Sequence, residues 1–133
     1  MLLKVEGVWC KTRTEFDRFA RSEKHDLAIS FSDIHARLVK SDPYNNEPSD
    51  TIISLYIMRM ISKLLEERKI YENTRILYMF KNLDRETVCN FKDYIGSFEA
   101  YVLEFNLTVI NRTDYPKRGV LTQFDNVKFV END

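Results

Sequence analysis

The segment Asp26–Val39, DLAISFSDIHARLV, joins an apolar run to polar residues in a way that decides the fold of this chain. Its apolar part, Leu27–Ile29, has the length of a buried strand bounded by polar residues. The polar side chains come next, at Ser30, Ser32, Asp33 and His35. Because open α/β sheets bind their ligands at the carboxyl ends of strands, we expect the functional site to begin at these residues.

The composition favours a single folded domain, residues 1–133, over a disordered chain. A chain of 133 residues is long enough to bury a core. Its content of 44% apolar and 13% aromatic residues argues against disorder. With 20 basic and 21 acidic residues, the formal net charge of -1 gives no overall attraction to nucleic acid or to membranes. Any such affinity must therefore come from a local patch of charge.

The sequence indicates neither a membrane segment nor a metal site. No apolar run approaches the roughly 18 residues of a membrane span, and the amino terminus lacks the basic and apolar regions of a signal peptide. The two cysteines, Cys10 and Cys89, have neither a CxxC partner nor clustered histidines, so we expect reduced thiols and no zinc ligands. These features predict a cytoplasmic protein with no membrane partner.

Alternating strand and helix patterns predict a mainly parallel sheet. Alternating or continuously apolar segments indicate strands, and capping signals followed by apolar stripes indicate helices. Right-handed crossovers then place helices on both faces of the sheet, as in a three-layer α/β/α sandwich. The predicted strands are Leu2–Val8, Leu27–Ile29, Arg75–Phe80, Tyr101–Ile110 and Val127–Val130. The first predicted helix begins after Thr12. The second begins at Pro48 or Ser49 and ends near Arg68, and the third begins at Asp84 and ends at Gly96.

Residues 6–12, EGVWCKT, stand where many α/β folds have a phosphate-binding loop before the first helix. The pattern GxxxxGK[ST] requires glycines at positions 5 and 10, which are Val5 and Cys10 here. Val and Cys disfavour the positive φ angles of such a loop, and Trp9 adds bulk where a phosphate would lie. A solvated Lys11, with Thr12 capping the helix, is therefore the favoured interpretation.

Four segments, taken together, resemble the phage-type polynucleotide 5′-kinases, small P-loop kinases that phosphorylate nucleic-acid ends. Residues 2–21 match the first strand, loop and helix of that family, and residues 30–35, SFSDIH, resemble its S-x-D-D-[IY]-R pattern. Residues 79–86, MFKNLDRE, are similar to its D-x-N-L segment, and residues 111–119, NRTDYPKRG, to its Arg-bearing lid. The resemblance implies that the three-layer α/β/α sandwich is of the P-loop kinase type. It also implies that the chain is a phage protein.

The same resemblance implies that catalysis is lost. Ser32 replaces the Asp that acts as general base in the family, and a serine hydroxyl does not accept a proton at neutral pH. Asp33 matches the second Asp, His35 replaces an Arg, and Phe80 or Lys81 replaces the Asp that ends the third strand. Phosphoryl transfer would thus lack both donor positioning and a proton acceptor. The only catalytic candidates that remain are Asp33 and His35.

We therefore expect a non-catalytic, pseudokinase-like protein that uses no cofactor. It would bind a nucleic-acid end, a nucleotide or a protein partner at the carboxyl ends of its strands. The candidate ligand-binding residues are Lys11, Thr12, Ser32, Asp33, His35, Asn82, Arg112 and Arg118. The alternative is an active nucleotide or polynucleotide kinase or phosphotransferase that uses Mg-ATP, with Lys11 and either Asp33 or His35 acting on the nucleotide.

Basic residues near these positions lead to two interpretations. In the first interpretation, these residues form one positive edge with salt-sensitive affinity for nucleic acid. In the second, they balance neighbouring acidic residues on a solvated surface. The near equality of basic and acidic residues keeps the second interpretation open. The residues are Lys11, Arg13, Arg18, Arg112, Lys117 and Arg118. The sequence predicts neither the identity of the partner nor the oligomeric state.

Overall fold

A computed structural model describes residues 2–71, 73–96 and 102–131 of the chain. Its core is a five-stranded sheet in the order β2-β3-β1-β4-β5, in which every neighbouring pair of strands is parallel. The predicted parallel α/β sheet is therefore confirmed. The strands are β1 (Leu2–Trp9), β2 (Leu27–Ser30), β3 (Arg75–Met79), β4 (Val102–Ile110) and β5 (Val127–Val130).

Helices cover both faces of this sheet, so the molecule has three layers. The helices are α1 (Arg13–Ser22), α2 (Phe31–Ser41), α3 (Asp50–Glu66) and α4 (Arg85–Gly96). On one face, α1 packs Phe16, Phe19 and Ala20 against strand residues that include Val8 and Leu77. On the other face, α3 and α4 bury their apolar stripes in the larger core. Two short 3-10 turns, Arg112–Asp114 and Arg118–Gln123, connect β4 to β5.

Capping side chains fix where the helices begin. The backbone N–H of Glu15 donates to the Thr12 hydroxyl at 3.2 Å, which confirms Thr12 as the cap of α1. The N–H of Ile52 donates to the Ser49 hydroxyl at 3.2 Å in the same way at α3. Each cap satisfies one of the free amide groups of a first helical turn.

Residues 31–41 form α2, a helix that the sequence analysis does not predict. Ser30 ends β2 and caps α2 at once, because its hydroxyl accepts the N–H of Asp33 at 3.2 Å. Ile34 is buried and Leu38 packs beside the core one helical turn later. The pattern Ser-x-x-Asp followed by apolar residues four apart is itself a helix signal. Interpreting the segment as a strand followed by polar site residues obscured that signal.

A polar cluster of Glu6, His25 and Arg75 ties β1 and β3 to the loop after α1. Arg75 Nη2 donates to Glu6 Oε1 at 2.6 Å, and His25 Nε2 lies 3.1 Å from Glu6 Oε2. The His25 side chain is fully buried, and its Nδ1 has no hydrogen-bond partner among the described residues. Burial acts to raise the pKa of Glu6, but hydrogen bonds from Arg75 and His25 outweigh it and hold that pKa below its ordinary value of 4.5.

Among the helices of the described residues, none combines the length and the apolar character that crossing a bilayer requires.

Candidate functional site

The first strand leaves little room for a phosphate-binding loop. β1 remains extended to Trp9, with residues 2–9 in register with β4 and residues 4–8 in register with β3. Only residues 10–12 then connect β1 to α1. None of the described glycines has a positive φ. The amides of residues 6–8 therefore belong to a strand that is paired on both sides and do not converge on one anion.

Gly7 serves the packing of Phe80 instead. A Cβ atom at Gly7 would lie 2.6 Å from Cε2 of Phe80, which is a sterically forbidden distance. Phe80 is almost fully buried, at 1% exposure. The end of β1 is held to the chain beyond β3 by Trp9, whose Nε1 donates to the carbonyl of Lys81 at 3.2 Å. Trp9 also makes an edge-on ring contact with Tyr115 at 4.7 Å.

A carboxylate stands beside the amino-terminal end of α1. The Thr12 hydroxyl donates to Glu15 Oε1 at 3.1 Å, and Asn111 Nδ2 donates to Glu15 Oε2 at 2.9 Å. Glu15 therefore links α1 to the end of β4. A negative charge at this point complements the helix dipole that would otherwise attract an anion. Thr12, one of the predicted ligand-binding residues, thus caps α1 and bonds to Glu15.

Asp33 is paired with Arg13 across the starts of α1 and α2. Arg13 Nη1 donates to Asp33 Oδ2 at 2.9 Å and to the Ser30 hydroxyl at 3.3 Å, and its Nε donates to Asp17 at 3.0 Å. Hydrogen bonds to Asp17 and then to Asp33 raise the pKa of Arg13 above its ordinary value. Both partners are more than half exposed, so the pair contributes little stability. The ion pair nevertheless engages the carboxylate of Asp33, one of the two catalytic candidates.

The Tyr78 cleft is an opening of about 210 Å³ at the carboxyl ends of β2 and β3. It lies between the first turns of α2, α3 and α4. Two predicted residues, His35 and Asn82, line it, and Phe31 forms part of its wall. The Phe31 and His35 rings lie 5.4 Å apart between centroids, with their planes at 30°. The remaining lining residues are Glu47, Pro48, Asp50, Ile53, Ser54, Tyr78, Phe80, Lys81, Asp84, Thr87 and Phe91.

Two nearly buried residues that line this cleft, Tyr78 and Ser54, carry hydroxyl groups. Tyr78 and Ser54 are only 3% and 4% exposed, and neither hydroxyl has a hydrogen bond to any described residue. Burial, and then the charge of nearby Asp50, raise the pKa of Tyr78, so its phenol stays neutral. Among the described side chains, only His25 Nδ1 is a fully buried polar atom without a partner, so the Tyr78 and Ser54 oxygens remain accessible to water or to a ligand in the cleft. Neither residue was predicted as part of the site, although each is a polar residue within an apolar pattern.

The Lys11 cleft, of about 230 Å³, adjoins the Tyr78 cleft at the carboxyl ends of β1 and β3. The two clefts share Phe31, Phe80 and Lys81. Lys11 and Ser32 line the second one. The ammonium of Lys81 lies over the Phe31 ring at 5.6 Å, at the boundary between the clefts. Four of the predicted residues, Lys11, Ser32, His35 and Asn82, therefore meet around one shared wall.

Cys10 also lines the Lys11 cleft, but it is a poor nucleophile. It is buried, and its Sγ donates to the carbonyl of Thr12 at 3.4 Å. Burial, together with the charges of Glu15 and Asp17, raises the pKa of the Cys10 thiol to about 12. Because the thiolate is the reactive form, this thiol is inert at neutral pH. Neither Cys10 nor Cys89 is in a disulfide.

Arg112 and Arg118 lie elsewhere, in a cleft of about 650 Å³ beside β5. The Arg112 guanidinium lies 5.1 Å from the centre of the Phe129 ring and 3.6 Å from Glu131. Lys117 lies 4.0 Å from Asp84. The basic residues of the predicted positive edge are thus divided between separate sites, and Arg13, Arg112 and Lys117 already have acidic partners.

No group of three or more His, Cys, Asp or Glu side chains in the described part of the chain is arranged to hold a metal ion. Comparison of the chain with protein-family models, with curated proteins and with solved structures finds no match.

Proposed function

We propose that this protein is a non-catalytic, P-loop kinase-like protein that binds a terminal nucleotide, either free or at the end of a nucleic-acid strand. The observation that carries the proposal is the pair of adjoining clefts at the carboxyl ends of the central strands. One cleft presents two lysines, and the other presents an aromatic wall and polar groups. A nucleotide has the same division between an anionic phosphate and a flat, polar base.

The Lys11 cleft suits the phosphate. Lys11 and Lys81 are exposed, and neither forms an ion pair with a described residue. The Ser32 hydroxyl adds a neutral hydrogen-bond donor to the same cleft. Lysine ammonium groups bind phosphate as point charges, so they do not require the ordered backbone of a phosphate loop.

The Tyr78 cleft suits the base. Phe31 and His35 are partly exposed, and side chains of this kind stack on unpaired bases. The Asn82 side chain lines the same cleft and offers both a donor and an acceptor. The volume of about 210 Å³ lies below the roughly 300–1,000 Å³ of pockets for drug-sized ligands, so the cleft suits one ring system and not a whole nucleotide.

Several features of the site support binding without phosphoryl transfer. β1 is extended where a phosphate loop would have to curve, Ser32 stands in the place of the general base, and Asp33 is bonded to Arg13. The sheet with helices on both faces is compatible with the kinase resemblance, and the substitutions at the reacting positions favour a relative that has lost the activity. The alternative of an active kinase draws no comparable support from these residues.

Equilibrium binding tests the proposal. Fluorescence anisotropy would compare short labelled single strands that carry either a 5′-phosphate or a 5′-hydroxyl, with unlabelled mononucleotides as competitors. We expect binding that weakens as salt is raised, because phosphate contacts release counterions. Replacing both Lys11 and Lys81 by Ala should weaken binding about tenfold or more, whereas Lys63→Ala, an exposed lysine on α3, should leave it unchanged.

Mononucleotides and oligonucleotides are compared in order to distinguish binding of a free nucleotide from binding of a strand end. Competition by mononucleotides at similar concentrations indicates a free nucleotide, and preference for the oligonucleotides indicates a strand end. If none of these probes binds at low salt, the proposed function is wrong.

A further inference from the structure

We propose that the Tyr78 cleft selects guanine, with the carboxylate of Asp50 accepting hydrogen bonds from the N1–H and the 2-amino group of the base. This inference rests on the proposed function, because it names the base that the cleft takes. It follows from three residues that line the cleft, Asp50, Ser54 and Tyr78, and from the hydrogen bond that Thr87 donates to Asp50.

The charges of the cleft first decide which end of a nucleotide enters. Glu47, Asp50 and Asp84 line the Tyr78 cleft, and Lys81 is its one lysine. Asp84 lies 4.0 Å from Lys117, whereas Glu47 and Asp50 have no basic partner among the described residues. Carboxylates repel a phosphate and accept hydrogen bonds from a base. The phosphate is therefore directed to the Lys11 cleft and the base to the Tyr78 cleft.

Asp50 is positioned to act as an acceptor. It is the first residue of α3, and the Thr87 hydroxyl on α4 donates to its Oδ2 at 2.9 Å. That bond joins the exposed carboxylate of Asp50 to α4 and leaves lone pairs free on both oxygens, since an ionised carboxylate has about four acceptor sites. Two parallel hydrogen bonds to one carboxylate are strong and demand two adjacent donors on the ligand.

Among the common bases, guanine alone presents two adjacent donors on its Watson–Crick edge. Adenine and cytosine place a ring-nitrogen acceptor beside their amino group, and uracil flanks its N–H with carbonyl oxygens. Against a carboxylate, each of these bases brings two acceptors together, which is unfavourable. Guanine's O6 remains available to accept a hydrogen bond from a hydroxyl group.

The two unpartnered hydroxyls complete the argument. Tyr78 and Ser54 are more than nine-tenths buried, line the same cleft and lack hydrogen bonds from the described residues. A hydroxyl is both a donor and an acceptor, so either one fits a carbonyl oxygen or a ring nitrogen of the base. A base in the cleft would replace water as the hydrogen-bond partner of these hydroxyls.

Competition by GMP, IMP, AMP and CMP against a labelled oligonucleotide tests the inference. We expect GMP to bind more tightly than AMP and CMP by between about fivefold and about 100-fold, the usual range for a good bidentate contact to a base. IMP keeps the N1–H but lacks the 2-amino group, so its affinity should lie between those of GMP and AMP.

Two conservative variants, at Asp50 and at Tyr78, test which residues produce the preference for GMP. Asp50→Asn presents one acceptor and one donor and should remove the difference between GMP and AMP while AMP still binds. Tyr78→Phe removes a hydroxyl that bonds no described residue, so it should weaken GMP binding without lowering the melting temperature. The control is Glu66→Gln, an exposed carboxylate at the other end of α3, which should bind like the parent.

The outcomes distinguish this inference from the proposed function. Equal affinity of all four nucleotides for the parent overturns guanine selection and leaves terminal-nucleotide binding intact. A GMP preference that persists in Asp50→Asn removes the carboxylate from the explanation and overturns the inference as stated. Failure of every nucleotide and oligonucleotide to bind rejects the proposed function, and the inference with it.

Discussion

Gly7 shows how a single residue determines what fills the end of the sheet. An added Cβ would meet Phe80 at 2.6 Å and the side chains of Phe105 and Leu107 at 3.2 Å. The glycine of residues 6–12 therefore has a packing role. Its sequence position next to Lys11 and Thr12 suggests a phosphate loop, and only the neighbouring strands reveal the reason for a glycine here.

Gly7→Ala is expected to lower the free energy of unfolding by about 1–3 kcal/mol, the usual cost of overpacking a filled core. Chemical denaturation monitored by circular dichroism measures this change. Gly96→Ala is the matched control, because a Cβ at Gly96 would meet nothing within 4 Å, and it should leave stability unchanged or slightly raised. Equal stability of Gly7→Ala and the parent would show that Phe80 moves aside without cost.

At the scale of elements, local signals predict most of the boundaries. Thr12 caps α1, Ser49 caps α3 and α4 ends at Gly96, in agreement with the predicted boundaries. The burial of three successive residues, 76–78, shows that β3 is covered on both faces. The predicted start of β4 at Tyr101 lies outside the described residues. α2 was missed because its sequence was interpreted as a strand followed by polar site residues, although Ser30 and Asp33 carry an ordinary capping signal.

The cluster of Glu6, His25 and Arg75 predicts how stability depends on pH. Because the folded pKa of Glu6 lies below its ordinary value, protonation is easier in the unfolded chain. The stabilising contribution is therefore fully present above about pH 4.5 and is lost as the pH falls through the folded pKa. We expect the free energy of unfolding to fall with decreasing pH below about 5, and Glu6→Gln to flatten this dependence.

Denaturation at several pH values between about 3 and 7 measures how the free energy of unfolding depends on pH in the parent and in Glu6→Gln. Glu66→Gln, at an exposed position on α3, serves as the control and should keep the slope of the parent. If Glu6→Gln and the parent lose stability in parallel, other carboxylates dominate the acid response.

At the scale of the whole molecule, the candidate site comes from four segments that the sheet order brings together. The proximity of Lys11, Ser32, His35 and Asn82 was predictable, because residues that follow parallel strands meet at one edge of a sheet. Arg112 and Arg118 follow β4, and the sheet order carries them to a cleft beside β5. Tyr78 and Ser54 were not predictable, because whether a hydroxyl has a partner depends on how α3 packs against β3.

The arrangement as a whole predicts that phosphoryl transfer is absent and is not restored by one residue. Transfer of radiolabel from ATP to a 5′-hydroxyl oligonucleotide should be undetectable for the parent and for Ser32→Asp, since positioning and proton transfer act as a unit. Adding glycines at positions 5 and 10 should not rescue it, because Val5 is a buried residue of a paired strand. Transfer by the parent would contradict the non-catalytic assignment.

The protein's only tryptophan, Trp9, lies where the Lys11 cleft meets the core. Trp9 is 7% exposed, and its indole is hydrogen-bonded to the carbonyl of Lys81 and contacts the Tyr115 ring. Fluorescence excited at long ultraviolet wavelengths therefore comes from a single environment at the end of β1. A phosphate group arriving beside Lys81 would alter the intensity of that emission, and unfolding would shift the emission to the red. The wild-type chain thus carries an intrinsic optical probe at the position where its ligand is expected.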